Sequence, residues 1–496
     1  MSPSKVLALG FLAIIACGTL LLYLPVSAAG QPITLLQAAF TATSAVCVTG
    51  LAVVDTASSY SLFGQVVILC LIQLGGLGFM MFATSVLVLT KRRISLRNRI
   101  LLHETMSMPG LSGTVRSVLR FMALVFAIEL LGAILLSIQF IPQFGVSTGL
   151  YYGVFHAISA FCNAGFDLFG AAGSLNAFHH SPLVLLTISG LIILGGLGFA
   201  VIADLLSHTG QFKKLQMHTR VVVAMTAALL IGGTLFFAAA EWNNPATLNQ
   251  PGASVPSKLI NAWFQSVTTR TAGFSTMDQS ALRDGSKLMT IVLMFIGASP
   301  ASTGGGIKTS TLFVLLVLVR SVFLGSSDVN TFRRRLPLVL IRTALSIFVI
   351  SLSLLVVGAV MLLAVLLSQS RGAILLGLPA AVIALLIVWH GRRAVVPVLG
   401  ALGAMAVALI PLSIALPRLR DLLGDTAFFR RHLWYSALNL IREHPITGAG
   451  LDQFLYWYRS RYLLPEAWAE PNLSVPHNVL LNHWVSLGVG GVALAL

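Results

Sequence analysis

Charge is what this sequence has least of. Asp, Glu, Lys and Arg together make up 9% of its 496 residues, against 57% hydrophobic residues, and mean hydropathy is +0.91. A soluble globular chain carries roughly a quarter charged residues, so that class is excluded and an integral membrane protein remains. Acidic residues are scarcer still, 15 against 31 Lys plus Arg, for a formal charge of +16. The surplus does not indicate nucleic acid. The basic residues fall in short clusters between apolar runs, as cytoplasmic loops do, and no basic patch is interleaved with aromatics. Cysteine is nearly absent: Cys17, Cys47, Cys70 and Cys162 lie in or beside apolar segments, at spacings that fit neither a metal motif nor a disulfide framework. The first apolar run, 6–24, has no clean cleavage site after it, which favours a retained span over a signal peptide.

What the chain has in quantity is repetition. The small, uncharged stretch TSAVCVTGL at 43–51 has copies ISAFCNAGF at 158–166 and QSVTTRTAGF at 265–274, so Gly50, Gly165 and Gly273 recur at intervals of roughly 110 residues. Irregular polar backbone between membrane spans is tolerated only where it is buried in protein or lines water. A ring of such segments with carbonyls inward can replace the hydration shell of an alkali cation, and glycine lets the backbone turn those carbonyls inward. Each stretch follows a short apolar run, at 35–46, 150–161 and 258–268, too short to cross a hydrocarbon core of about 30 Å. Longer runs at 6–24, 63–89, 119–141, 183–206, 221–240 and 288–319 read as spans. Basic clusters at 91–99, at Lys213, Lys214 and Arg220, and at 333–335 mark inner loops, which places the N-terminus in the cytoplasm and the glycine stretches toward the outer face.

Two further patterns qualify the spans. The last of them is interrupted by GASPASTGGGIK at 297–308, where Pro300 and three glycines disfavour helix. The returning spans share LGGLGF, at 74–79 and 194–199, which reads as close helix packing through small residues or as part of the pore itself. A fourth unit opens with a span at 341–367, but where a fourth glycine stretch is due the chain shows a plain apolar run, 375–389. A basic loop at 390–393, a span at 395–416, a long polar outer segment at 417–476 and the beginning of a last span follow, and the sequence reads as stopping inside that span.

The repeated span–short helix–loop–span unit over 1–363 resembles the Trk/Ktr/HKT family of potassium transporters, most closely the bacterial Ktr membrane subunit. The resemblance implies a potassium filter lined by Gly50, Gly165 and Gly273, with the carbonyls of Val48, Thr49, Asn163, Ala164, Thr271 and Ala272 beside them. It implies a gate beneath the filter at Gly304, Gly305, Gly306 and Lys308. It also implies a homodimer in the lipid of the bacterial inner membrane, a cytosolic nucleotide-binding ring subunit on the basic inner loops, potassium as the transported ion, no cofactor, and sodium as a candidate activator. Family members close the ring with four loops, and this chain supplies three. Arg270, beside the third loop, reads either as a functional cation or as a structural donor to pore-helix carbonyls. Glu129 and Asp278 are acids near apolar spans, where an acid is costly unless paired or useful, although Asp278 also suits the outer mouth.

The tail, 368–496, resembles a different family, the O-antigen ligase and polymerase group. The resemblance rests on SQSRG at 368–372, residues 430–434, HPITGAGL at 444–451 with Phe454, and PHN at 476–478. It implies transfer of a glycan from an undecaprenyl diphosphate carrier, with Arg371 and Arg430 gripping the diphosphate and His477 activating the acceptor hydroxyl. Arg371 also suits an interfacial residue whose head reaches water, and His477 a helix start; His444 reads as structural beside its turn. The expectation is an all-α polytopic membrane protein with three complete filter units and an interrupted fourth, joined near 363–368 to a ligase-like segment: a chimera whose leading function is potassium uptake, with glycan transfer by the tail or a nonfunctional hybrid of the two as the alternatives.

Overall fold

In the computed structural model the described residues are 3–78, 114–170, 174–208, 211, 214–250, 252–325, 329–331 and 334–368, then 435–445, 449, 456, 460, 461 and 485. Three successive units each run out along one helix, turn into a short one, and return. The first comprises α1 (Pro3–Tyr23), α2 (Leu35–Val46), the single turn α3 (Thr56–Ser59) and α4 (Leu62–Leu77). The second comprises α5 (Thr114–Phe144), α6 (Val146–Phe161), α7 (Pro182–Leu197) and α8 (Phe199–Ser207). The third comprises α9 (Met217–Glu241), α10 (Val255–Thr268), α11 (Asp284–Phe295) and α12 (Thr309–Phe323), and α13 (Leu338–Ser368) opens a fourth. The only strands among the described residues are a two-residue antiparallel hairpin, Asn330–Thr331 with Arg334–Arg335.

The short helices stand as the sequence predicts. α2 has the predicted bounds, and α6 and α10 start somewhat earlier, at Val146 and Val255. At a rise of 1.5 Å per residue, the 12 residues of α2 reach about 18 Å, short of a bilayer core of about 30 Å. The start of α2 is set by a capping box: Thr34 Oγ1 accepts from Gln37 N at 3.3 Å, and Thr34 N donates to Gln37 Oε1 at 2.9 Å. Ala38, Ala42 and Ala45 on α2 and Ala157 and Ala160 on α6 are buried, and such small side chains allow close helix approach.

One predicted span is corrected. The run 183–206 is not one helix: it breaks at Gly198, φ +89°, and α7 and α8 meet at a bend of 99°. In the run 63–89, α4 ends at Leu77 and Gly78 takes φ +82°; residues 79–113, with the predicted inner loop 91–99, lie outside the described residues. The predicted interruption at 297–308 is present, between α11 and α12. Within LGGLGF, Gly75 and Gly195 take the packing role. A Cβ at Gly75 would collide with the Val46 carbonyl and one at Gly195 with the Phe161 carbonyl, each at the end of a short helix.

Val118–Phe144, Met217–Glu241 and Leu338–Gly358 are long and apolar enough to span a membrane, with the bent α7–α8 pair a fourth if it counts as one span. The chain is a multi-pass membrane protein. It divides into two units, Met1–Gly358 and Ala359–Leu496. In the second, residues 435–443 are helical, while the predicted spans 375–389 and 395–416 and most of the outer segment 417–476 lie outside the described residues.

Candidate functional site

The short helices end at Cys47, Cys162 and Thr269, and from each the chain enters a loop of the same backbone form. Val48 and Gly50 take φ 55° and 68°, Asn163 and Gly165 take 56° and 71°, and Thr271 and Gly273 take 69° and 87°. A left-handed residue at alternate positions turns successive carbonyls toward one side, as a cation-coordinating ladder requires. Holding Val48, Asn163 or Thr271 left-handed costs about 1–2 kcal/mol each, so the surroundings must enforce it.

Hydrogen bonds back to the short helices do so. Thr49 N donates to Ser44 O at 2.9 Å, Ala164 N to Ser159 O at 2.8 Å, and Ala272 N to Thr268 O at 3.0 Å. Helix-end hydroxyls add a second tie. Ser159 Oγ donates to Phe166 O at 2.7 Å and Thr268 Oγ1 to Phe274 O at 2.6 Å, while Ser44 Oγ pairs with Thr49 Oγ1 at 2.9 Å. The sequence reading passed over these hydroxyls, whose signal is a Ser or Thr five or six residues before each glycine. The helix carbonyl ends, each equivalent to about half a negative charge, point into the loops and favour a cation there.

The loops meet in sequence. A Cβ at Gly50 would strike the Ala164 carbonyl oxygen, and one at Gly165 would lie 2.5 Å from the Ala272 oxygen and 3.0 Å from Gly273 Cα. A Cβ at Gly273 would meet only Gly165 Cα, at 3.2 Å, and no atom of the first loop within 4 Å. The first loop thus packs on the second and the second on the third, while the side between third and first is open among the described residues.

The segment 297–308 is fastened to this assembly. Gly305 N donates to Thr271 Oγ1 at 3.1 Å, Thr303 Oγ1 to Phe161 O at 3.0 Å, and Thr303 N to Gly195 O at 3.2 Å. Lys308 Nζ donates to Gly304 O at 2.7 Å, and Gly306 takes φ +70°. A Cβ at Gly304 would lie 3.0 Å from the Asn163 amide nitrogen. Arg270 is buried and donates from Nη2 to Gly297 O at 3.2 Å. This carbonyl partner is in the 297–308 segment and not on a pore helix, a correction to the structural alternative above. Asp278 is exposed and accepts from Ser280. Glu129 is buried and paired with Gln73, which the sequence reading did not single out. Arg371, Arg430 and His477 lie outside the described residues.

Two families and several known proteins are similar to this chain. The family TrkH, described as cation transport protein, matches residues 6–372, and the family Wzy_C, described as O-antigen ligase, matches 356–496. The potassium/sodium uptake protein NtpJ of Enterococcus hirae is 40% identical over 366 residues, 74% of this chain and 80% of that protein. The Ktr system potassium uptake protein B of Bacillus subtilis is 41% identical over 357 residues, 72% of this chain and 79% of the relative. Among solved structures, the potassium transporter TrkH from Vibrio parahaemolyticus matches with a TM-score of 0.57 and 16% identity, over 75% of this chain and 73% of that one, which supports the fold.

Proposed function

The chain belongs to the TrkH family of cation transport proteins, and we propose that it takes up potassium across the bacterial inner membrane through the three-loop pathway. The observation that carries this reading is the shared left-handed alternation at Val48/Gly50, Asn163/Gly165 and Thr271/Gly273, in loops packed one on the next. Carbonyls of these residues and of Thr49, Ala164 and Ala272 stand in for water around a dehydrated potassium ion. The membrane potential supplies the drive, about 2.3 kcal/mol per 100 mV for a monovalent ion. The names of the two relatives, both uptake proteins for potassium, support the cargo.

In this reading Gly304, Gly305, Gly306 and Lys308 form the gate. The segment spans the second and third loops, and the Lys308 ammonium opposes a cation passing it. The N-terminus is cytoplasmic, the protein is a homodimer, and a cytosolic nucleotide-binding ring docks on the basic inner loops. Sodium acts as an activator. Rubidium uptake into potassium-transport-deficient bacteria tests the reading, beside a Gly165→Asp control. Uptake that the control abolishes supports it, and uptake the control leaves unchanged removes it.

The match of the O-antigen ligase family to 356–496 favours a second reading for the tail, lipid-linked glycan transfer using Arg371, Arg430 and His477. Transfer lost in Arg371→Ala and in His477→Ala supports that reading; transfer that persists in both excludes it.

A further inference from the structure

Glu129 lies midway along α5 in an otherwise apolar stretch and is 4% exposed. A carboxyl group there is expensive unless it is paired or has a task. Both of its oxygens accept from the same donor, Gln73 Nε2 on α4, at 3.0 and 2.9 Å. The other end of that amide, Gln73 Oε1, accepts from the Cys162 thiol at 3.6 Å. Cys162 is fully buried, ends α6 and immediately precedes Asn163 of the second loop. Its side chain fits because Gly76 leaves room: a Cβ at Gly76 would lie 2.7 Å from Cys162 Sγ. A continuous polar chain therefore runs from the second unit's outward helix, through the first unit's returning helix, to the root of the second loop.

The repeat itself shows that packing does not require this chain. Gln73 stands two residues before Gly75, and the matching position before Gly195 is Ile193, a partly buried hydrophobic. The returning helix of the second unit presents Gly195 to the Phe161 carbonyl, which accepts from the Thr303 hydroxyl of the 297–308 segment, and has no polar side chain at Ile193 to match Gln73. The first unit keeps a Gln and opposes it with a Glu, breaking the symmetry of the repeats where the second loop is rooted.

We propose that Glu129 is a positioning residue for the second loop: through Gln73 and Cys162 it fixes the backbone at Asn163 and so contributes to the discrimination of potassium from sodium. The potassium pathway proposed above is the premise for the selectivity part; the tether itself can be tested without transport.

The experiment compares the parent with Glu129→Gln and with the double variant Gln73→Leu/Glu129→Leu. Replacing both members of a buried polar pair by apolar groups tends to spare stability, so the double variant keeps its fold. The first readout is alkylation of Cys162 by N-ethylmaleimide, in a background where Cys17, Cys47 and Cys70 are replaced by Ala. With the tether gone, alkylation accelerates by about tenfold, the size of one lost hydrogen bond. Glu129→Gln keeps an acceptor for Gln73 and stays near the parent. The second readout is rubidium against sodium uptake at matched membrane abundance, where the double variant loses about tenfold in preference and Glu129→Gln retains most of it. Unchanged alkylation in the double variant overturns the tether. Accelerated alkylation with unchanged ion preference overturns its role in selectivity. A parent that carries no rubidium refutes the proposed pathway and with it the selectivity role, while the alkylation result decides the tether separately.

Discussion

Replacing Gly165 by Ala tests the packing of the loops directly, and Gly145 supplies its control. Both glycines have positive φ, +71° and +83°, where an alanine is strained by about 1–3 kcal/mol, and Gly145, with ψ 166°, sits in a region almost only glycine adopts, so the control carries at least as much backbone strain. They differ in what the new methyl group meets. At Gly145, the residue before α6, nothing lies within 4 Å. At Gly165 the methyl carbon would stand 2.5 Å from the Ala272 carbonyl oxygen. An ordinary carbon–oxygen approach is about 3.4 Å, so the third loop must withdraw by about 0.9 Å. Neither that carbonyl nor Gly273 Cα, 3.0 Å away, is the free end of a flexible side chain. A displacement near 1 Å at a site that works by positioning lowers rates on the order of a hundredfold. Initial rates of rubidium uptake, normalised to membrane abundance, read this out, and thermal unfolding in detergent reads out the shared strain. Gly145→Ala unfolds at a slightly lower temperature and transports near the parental rate, whereas Gly165→Ala unfolds similarly and loses uptake. A Gly165→Ala rate within about threefold of the parent refutes the reasoning, because a loop that shifts this far would cost far more. Equal loss in both variants refutes it too, since backbone strain alone would then explain the effect.

Three other outcomes follow from the same geometry. Lys308→Ala removes the bond to Gly304 O and a positive charge beside the pathway, so uptake rises by about tenfold; a rate at or below the parent's contradicts the gate. Gly273→Ala meets only Gly165 Cα at 3.2 Å, so its uptake falls between those of Gly145→Ala and Gly165→Ala, and complete loss counts against the open side of the ring. Asp167, two residues after Gly165, has its carboxyl pKa raised, first by burial and then by Asp55 nearby, against bonds from Phe169 N and Ser174 that lower it. Its stabilising contribution is therefore present in acid and lost as pH rises through the raised pKa. Asp167→Asn unfolds at a higher temperature than the parent at alkaline pH, with the gap closing on acidification; a gap that widens in acid reverses the sign and sinks the assignment.

The parts of the site legible in the sequence were those written as repetition or as length. Three copies of a glycine-ended stretch located the loops, and apolar runs too short to cross a bilayer located the helices that carry them. Pro300 and three glycines were enough to mark 297–308 as irregular. What stayed hidden depended on partners distant in sequence. Arg270 is bonded to Gly297, and a Gln within an apolar run such as Gln73 gives no sign of its partner until Glu129 is placed opposite. The break at Gly198 failed for another reason. In LGGLG the same residue type serves two purposes, with Gly75 and Gly195 admitting a neighbouring carbonyl and Gly78 and Gly198 reversing the backbone sign. Composition cannot tell these glycines apart, because both roles exploit the missing Cβ.

The asymmetry of the ring follows from the order of its loops. Among the described residues only the second has a neighbouring loop on each side, and Asn163, Ala164 and Gly165 are buried while Thr49 and Gly273 are exposed. A carbonyl held on both flanks cannot drift to suit a smaller ion, whereas an end loop can relax into the open side. In the proposed pathway, discrimination would therefore rest on the second loop more than on the first or third. That is also the loop whose root is held by a buried Glu–Gln pair, the loop whose Asn163 amide abuts Gly304, and the loop whose helix end, Phe161 O, receives the Thr303 hydroxyl of the proposed gate. Loop packing, polar tether and the proposed gate converge on one stretch of backbone, 161–165, so substitutions there should alter ion preference and gating together, while those in the first loop should alter preference alone.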